Sequence, residues 1–200
     1  MYALSHITRV RELIKRPLSR AELIASLGEI LRSRDPYTSA HNDRVGELSR
    51  LIAERHGCSA AEVQYISECG SLHDIGKLRL PLSSICKPGA LSLEEYDEVK
   101  RHPELGVELI ELFPTLEDLS PGVLYHHERF DGAGYPFGLR GDDIPLCARI
   151  VAAADMIDAM MSDRSYRTAL TWSHVRAELH RCVEGQLDPR VVEATLPLCS

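Results

Sequence analysis

Three times this chain sets a serine three residues ahead of a glutamate at the head of an apolar run: "SRAE" (Ser19 to Glu22), "SAAE" (Ser59 to Glu62) and "SLEE" (Ser92 to Glu95). At that spacing each side chain can accept a hydrogen bond from the other residue's backbone N–H, which marks the start of a helix. After the first box, Leu23, Ile24, Leu27, Ile30 and Leu31 keep the three- and four-residue steps of one buried helix face. His41, Val45, Leu48 and Ile52 repeat those steps, and Gly57 stands where a C-terminal cap glycine belongs. The helix opened by Ser59 is expected to carry His73 and Asp74 and to end near Gly76. The one opened by Ser92 should break at His102-Pro103, because the residue before proline disfavours helix. Further helices are expected from Ser120-Pro121 to near "HHER", over about 146–162 and over about 172–184. Strand-type alternation is nowhere sustained, so the expected fold is all-α.

Residues 4–16 form one more amphipathic stretch, with Leu4, Ile7, Val10, Leu13 and Ile14 on one side and Pro17 as its stop. It divides the chain into an N-terminal helix at 1–18, for packing, signalling or dimer contact, and one domain over 19–200. Between residues 129 and 145, glycines at 132, 134, 138 and 141 and prolines at 136 and 145 mark a loop, expected to be defined rather than disordered.

A net charge of −7 argues against general affinity for duplex nucleic acid or an anionic membrane, but not against a small anion, which responds to local charge. No apolar run reaches the length of a membrane span, and the N-terminus lacks the apolar core of a secretion signal. Cys58, Cys69, Cys86, Cys147, Cys182 and Cys199 are scattered without a CxxC pair, as expected of reduced cytoplasmic thiols.

The chemistry concentrates in a few misplaced polar residues. "SLHDIGKL" puts His73, Asp74 and Lys77 among apolar neighbours, and Asp155 lies between Ala153, Ala154, Met156 and Ile157. A buried carboxylate is paired or bound to a cation. His41 alone reads most simply as a hydrogen-bonded core residue, Asp155 as the partner of an arginine, and His126-His127 as an unremarkable doublet. Together with His102, these oddities on separate helices favour a metal. His6, His56, His174 and His180 lack such context and are read as surface or packing residues. Mixed imidazole and carboxylate donors suit first-row metals such as iron, manganese, zinc or nickel. Seven candidate ligands would serve two ions about 3.5–4 Å apart.

The order His41, His73-Asp74, Asp155 resembles the metal signature of the HD-domain phosphohydrolases, a helical superfamily. Within it, "LHDIGKL", "KPGALSLEEYDEVKRHPELG", "HHERFDGAGYP" and "AADMIDAMMSDRSYR" resemble the HD-GYP family, in the family's order and from about residue 20 to 194. The resemblance implies a compact bundle of the HD type with a GYP loop. It also implies hydrolysis of cyclic di-GMP, a bacterial second messenger, at a centre of two or three metals, often iron or manganese. By position, His41, His73, Asp74 and Asp155 would hold one ion and His102, His126 and His127 the other, with Asp74 bridging. A hydroxide between the metals would attack phosphorus and yield linear pGpG. Lys77, four residues after His73 and so expected on the same helix face, would hold a phosphate. In the Gly134-Tyr135-Pro136 triplet, Tyr135 would touch substrate. Arg164 and Arg167 match positions for guanine and phosphate, though without the resemblance they read as a solvated helix end.

Trimetallic members carry a glutamate where this chain has Tyr37, a poor ligand for a hard cation, so two metals and only slow conversion of pGpG to GMP are expected. Two other readings stay open: a weakly active or inactive metal- or nucleotide-binding module, and a phosphohydrolase for another cyclic dinucleotide. HD-GYP domains commonly follow a sensor domain, which leaves the N-terminal helix as a contact for such a partner or a second copy.

Overall fold

All three capping boxes form. Glu22 Oε2 accepts from Ser19 N at 2.8 Å while Ser19 Oγ accepts from Glu22 N at 3.4 Å. The Ser59/Glu62 and Ser92/Glu95 pairs repeat the arrangement, so three helix starts are satisfied by side chains four residues apart or fewer. The computed structural model describes residues 2–85, 89, 91–162, 168–183 and 185–198, without the side chains of 2–5, 36, 37 and 39. Its helices are α1 (Tyr2–Ile14), α2 (Arg20–Arg34), α3 (Pro36–His56), α4 (Ala60–Leu72), α5 (Leu82–Ile85), α6 (Leu93–Val99), α7 (His102–Ile110), α8 (Ser120–Tyr125), α9 (Leu146–Met161), α10 (Trp172–Cys182) and α11 (Pro189–Thr195). Short 3-10 turns occupy Ile75–Arg79, Pro114–Leu119, Gly141–Asp143 and Leu196–Leu198. Among the described residues there is no strand, only an isolated bridge between Val183 and Leu187. The fold is all-α, as the periodicity predicts.

At the centre α3 lies against α4 and α9, and α8 packs on both α4 and α9. Val45, Ile52, Leu72, Ile150 and Ile157 are buried between them, each contributing about 1.5–3 kcal/mol through removal from water. Ala153 and Ala154, also buried, let α9 approach closely. No described helix is long and apolar enough to cross a membrane.

Four expectations need correction. The helix carrying His73 and Asp74 stops at Leu72, and the chain tightens into a 3-10 turn in which Lys77 sits three residues after Asp74. Lys77 therefore does not share a helix face with His73. On α1, Val10 and Leu13 are the buried apolar residues, with His6 buried beside them, whereas Ile14 is 48% exposed; Ile7 packs at the edge of the core and the Leu4 side chain lies outside the described residues. The helix expected over about 172–184 forms as α10, ending at Cys182, but it is not the last: α11 follows it.

Candidate metal centre

The ligand candidates arrive on separate elements whose ends converge. His41 lies on α3, His73 caps the C-terminus of α4, and Asp74 leads into the 3-10 turn with φ −96° and ψ 9°. His102 opens α7, His126 and His127 follow α8, and Asp155 lies on α9. Gly76 allows the convergence, since a β-carbon there would overlap the His102 carbonyl. Without one, the 3-10 turn rests on the start of α7 and Asp74 reaches His102.

Three rings are fixed in the same local way. His73 Nδ1 bonds the Gly70 carbonyl at 2.7 Å, His102 Nδ1 that of Val99 at 2.8 Å, and His126 Nδ1 that of Val123 at 2.7 Å. Because a carbonyl only accepts, each Nδ1 carries the proton and each Nε2 presents a lone pair. His41 differs in using a carboxylate, with Nδ1 2.7 Å from Asp158 Oδ2.

The Nε2 atoms of these rings meet around Asp74. His102 Nε2 lies 3.2 Å from its Oδ1, while His73 Nε2 and His41 Nε2 lie 3.5 and 3.8 Å from its Oδ2. His41 Nε2 is also 3.1 Å from Asp155 Oδ1. One set of ligand atoms, from His41, His73 and Asp155, falls within 4.8 Å of one another, as does a second from His102, His126 and His127. A third set, His73, Asp74 and His126, overlaps both. Lys77 Nζ lies 2.6 Å from Asp74 Oδ2.

These donors fit divalent cations. His73 Nε2 is buried without a hydrogen-bond partner, and the Nε2 atoms of His102 and His126, both lone-pair bearers, stand 3.1 Å apart. Only a cation or a proton makes that approach favourable. Burial holds the His102 imidazole down at about 3 and His127 at about 4, and it lowers His73 and His126 as well. All four are neutral at pH 7, the form in which an imidazole can bind a metal. Burial opposes charge on His41 too, but its bonds to Asp155 and Asp158 prevail and raise it to about 9. Burial likewise opposes the Asp74 charge, yet Lys77 and the surrounding imidazoles hold that carboxyl well below the usual range.

A cavity of about 780 Å³ opens beside His126, His127 and Asp155. Tyr135 borders it, its ring stacked on His127 at 4.7 Å and 23°. Gly134 permits this seat, because a β-carbon there would overlap the backbone of residues 127–129. Glu128, 4% exposed, clamps the loop: its Oε1 accepts from Phe137 N at 2.7 Å and its Oε2 from Leu139 N at 3.0 Å. The loop is defined, as expected.

A family model described as HD domain matches residues 25–191. The chain belongs to the HD domain family. It is 42% identical over 178 residues to the cyclic di-GMP phosphodiesterase response regulator RpfG of Xanthomonas campestris, covering 88% of this chain and 47% of that protein. It is 35% identical over 180 residues to a 3'3'-cGAMP-specific phosphodiesterase of Vibrio cholerae, covering 88% of this chain and 34% of that protein. The chain thus spans half or less of these relatives' lengths. A solved HD-GYP-type protein from Bdellovibrio bacteriovorus superposes with a TM-score of 0.64 over 98% of this chain and 69% of that one, and at 18% identity it shows the fold alone.

This HD domain brings together every described candidate that the sequence singles out as a ligand, together with Lys77 and Tyr135. Arg164 and Arg167 lie outside the described residues, as does the Tyr37 side chain. Four contributors were missed. Asp158 orients His41, and Arg44 braces it at 2.5 Å through Nε. Asp158 carries the same signal as Asp155, a carboxylate in an apolar helix three residues further on. Glu128 stood unread inside "HHER". Arg129, its neighbour, lines the cavity.

Proposed function

We propose that this HD domain is a metal-dependent phosphodiesterase that hydrolyses cyclic di-GMP to linear pGpG. The observation that carries the reading is Asp74, whose two oxygens face different histidine groups, Oδ1 toward His102 and Oδ2 toward His41 and His73. By this reading His41, His73, Asp74 and Asp155 hold one divalent ion and His102, His126 and His127 the second, with Asp74 shared. Iron or manganese is the proposed pair, and zinc and nickel suit the same donors. Two such ions, when bound, supply Lewis-acid charge at a phosphoryl oxygen and lower the pKa of water.

The chain's own groups do the rest. Lys77, with its Nζ 2.6 Å from Asp74, brings a positive charge to the phosphate and offsets charge developing in the transition state. Tyr135, held over His127, borders the ribose and base. Arg164 and Arg167 are proposed guanine and phosphate contacts. Tyr37 in place of a carboxylate leaves two metals rather than three, so GMP forms slowly. The exposed Ile14 side of α1 is the proposed contact for a second copy or a sensor domain, and the proposed location is the cytoplasm.

The test is anaerobic purification, metal analysis and chromatography of cyclic di-GMP with iron or manganese present. Asp74→Ala is expected to lose metal and activity while His56→Ala keeps both. A protein with two bound ions and no cleavage would sink the enzyme reading in favour of a binding module. A second substrate, 3'3'-cGAMP, is favoured by the Vibrio relative and belongs in the same assay.

A further inference from the structure

Besides the candidate metal ligands, the cavity is lined by Arg129 and by Glu178, Cys182 and Gln186 on and just beyond α10, which form one end of it around the Arg129–Gln186 contact. Arg129 is held there from behind. Its Nε and Nη2 donate to Asp131 Oδ1 and Oδ2 at 3.1 and 2.6 Å, and Asp131 Oδ1 also accepts from Ala133 N at 3.0 Å. The neighbouring backbone is tied to the end of α10, with Phe130 N donating to the Gln186 carbonyl at 3.1 Å and Asp131 N to that of Gly185 at 2.8 Å. The guanidinium is thus fixed in orientation.

A guanidinium has five N–H donors. Asp131 takes two of them along one edge, and exposed Gln186 meets one more only at 3.5 Å, the limit of a hydrogen bond. Among the described residues, the Nη1–Nη2 end therefore keeps a pair of parallel donors to offer. Ala152, Met156, Ala159 and Met160 of α9 line the same cavity and give it an apolar wall suited to a planar ring. Asp131 neutralises Arg129, and Arg181 neutralises Glu178. Among the described residues this end carries no surplus positive charge for a second phosphate. What it offers is a donor fork in a cavity that also has an apolar wall.

We propose that this end of the cavity reads guanine, with Arg129 giving two N–H groups to O6 and N7 and Asp131 holding it in place. Guanine presents two adjacent acceptors on that edge, whereas adenine presents N7 beside an N6 amino donor, which would oppose a guanidinium N–H. The inference rests on the cyclic-dinucleotide reading and deepens it: the substrate carries at least one guanine, and Arg129 selects it.

The test uses the metal-loaded chain and titration calorimetry with GMP and AMP, which carry the base and a phosphate but no diester to cleave. Wild type should bind GMP more tightly than AMP. Arg129→Ala should weaken GMP about 5- to 150-fold, the value of one bidentate arginine–guanine pair, change AMP less than twofold, and retain its metals. Arg129→Lys should behave like the alanine variant, since a point charge cannot form the fork. Equal losses for both nucleotides, rescue by lysine, or no preference in the wild type would each overturn the proposal, the first two by pointing to a phosphate contact. If GMP preference persists but cyclic di-GMP is not cleaved, the phosphodiesterase reading fails and the guanine site stands. If cyclic di-GMP is cleaved and Arg129→Ala leaves GMP binding unchanged, the reverse holds.

Discussion

Asp158 acts on the candidate site from behind, through His41. It is buried, and it holds His41 at 2.7 Å while Arg44 and Ser162 hold it. Removing it frees the ring to rotate and to change tautomer. Asp158→Asn should therefore weaken metal binding about 10- to 100-fold and leave the far-ultraviolet dichroism intact; an unchanged affinity in a metal titration would show that His41 needs no such brace. At this scale the sequence was informative because a carboxylate or imidazole among Ala, Ile and Met is visible without coordinates. It was less so where a polar residue acts on backbone. Glu128 bonds N–H groups nine and eleven residues away, and no spacing rule marks such a partner. Arg34 is similar, a buried side chain whose guanidinium donates to the carbonyls of Leu78 and Leu80.

At the scale of elements, long helices were legible and short ones were not. α11 has seven residues, fewer than two turns, and depends on tertiary contacts rather than propensity. Asp188 supplies them: its side chain is fully buried, caps the helix by accepting from Arg190 N at 2.8 Å, and pairs with Arg149 of α9 at 2.5 Å. Burial works against its charge, but the bonds to Arg190 and Arg149 hold the carboxyl below the usual range. The folded pKa is thus the lower one. The stabilisation is present above the unfolded value of about 3.9 and is lost as pH falls from there through the native value. Asp188→Asn should cost about 3 kcal/mol at pH 7 and progressively less below about pH 4, measured by urea unfolding across pH; a constant difference would mean the charge is not responsible. On α1, Leu13 and Ile14 are adjacent in sequence and about 100° apart on the helix. Periodicity allowed either to face inward, and only the contact with the core decides for Leu13. The early end of α4 escaped notice because the apolar pattern runs on through Ile75 and Leu78, which are buried on the 3-10 turn just as they would be on a helix.

For the molecule as a whole, the core and the candidate ligand rings are secured by different means. Apolar burial joins α3, α4, α8 and α9 without help from the site, and His73, His102 and His126 are each anchored to a carbonyl three residues earlier in the chain. The metal-free chain should therefore be folded, with a cooperative melt after chelation. Metal at 100 times its dissociation constant would add about 2.7 kcal/mol, a rise in Tm of about 5–10 °C for a chain of this size. Unfolding on chelation would contradict this. The anchored rings have a consequence for the life of the protein. A zinc finger acquires its ion as it folds, and so its ion is settled at synthesis. Here the ordering entropy of the ligands is spent before any ion arrives, so ions can be exchanged in a standing structure. Which one is present then follows the ions on offer in the surroundings, and on the phosphodiesterase proposed above, turnover would report metal supply along with substrate level.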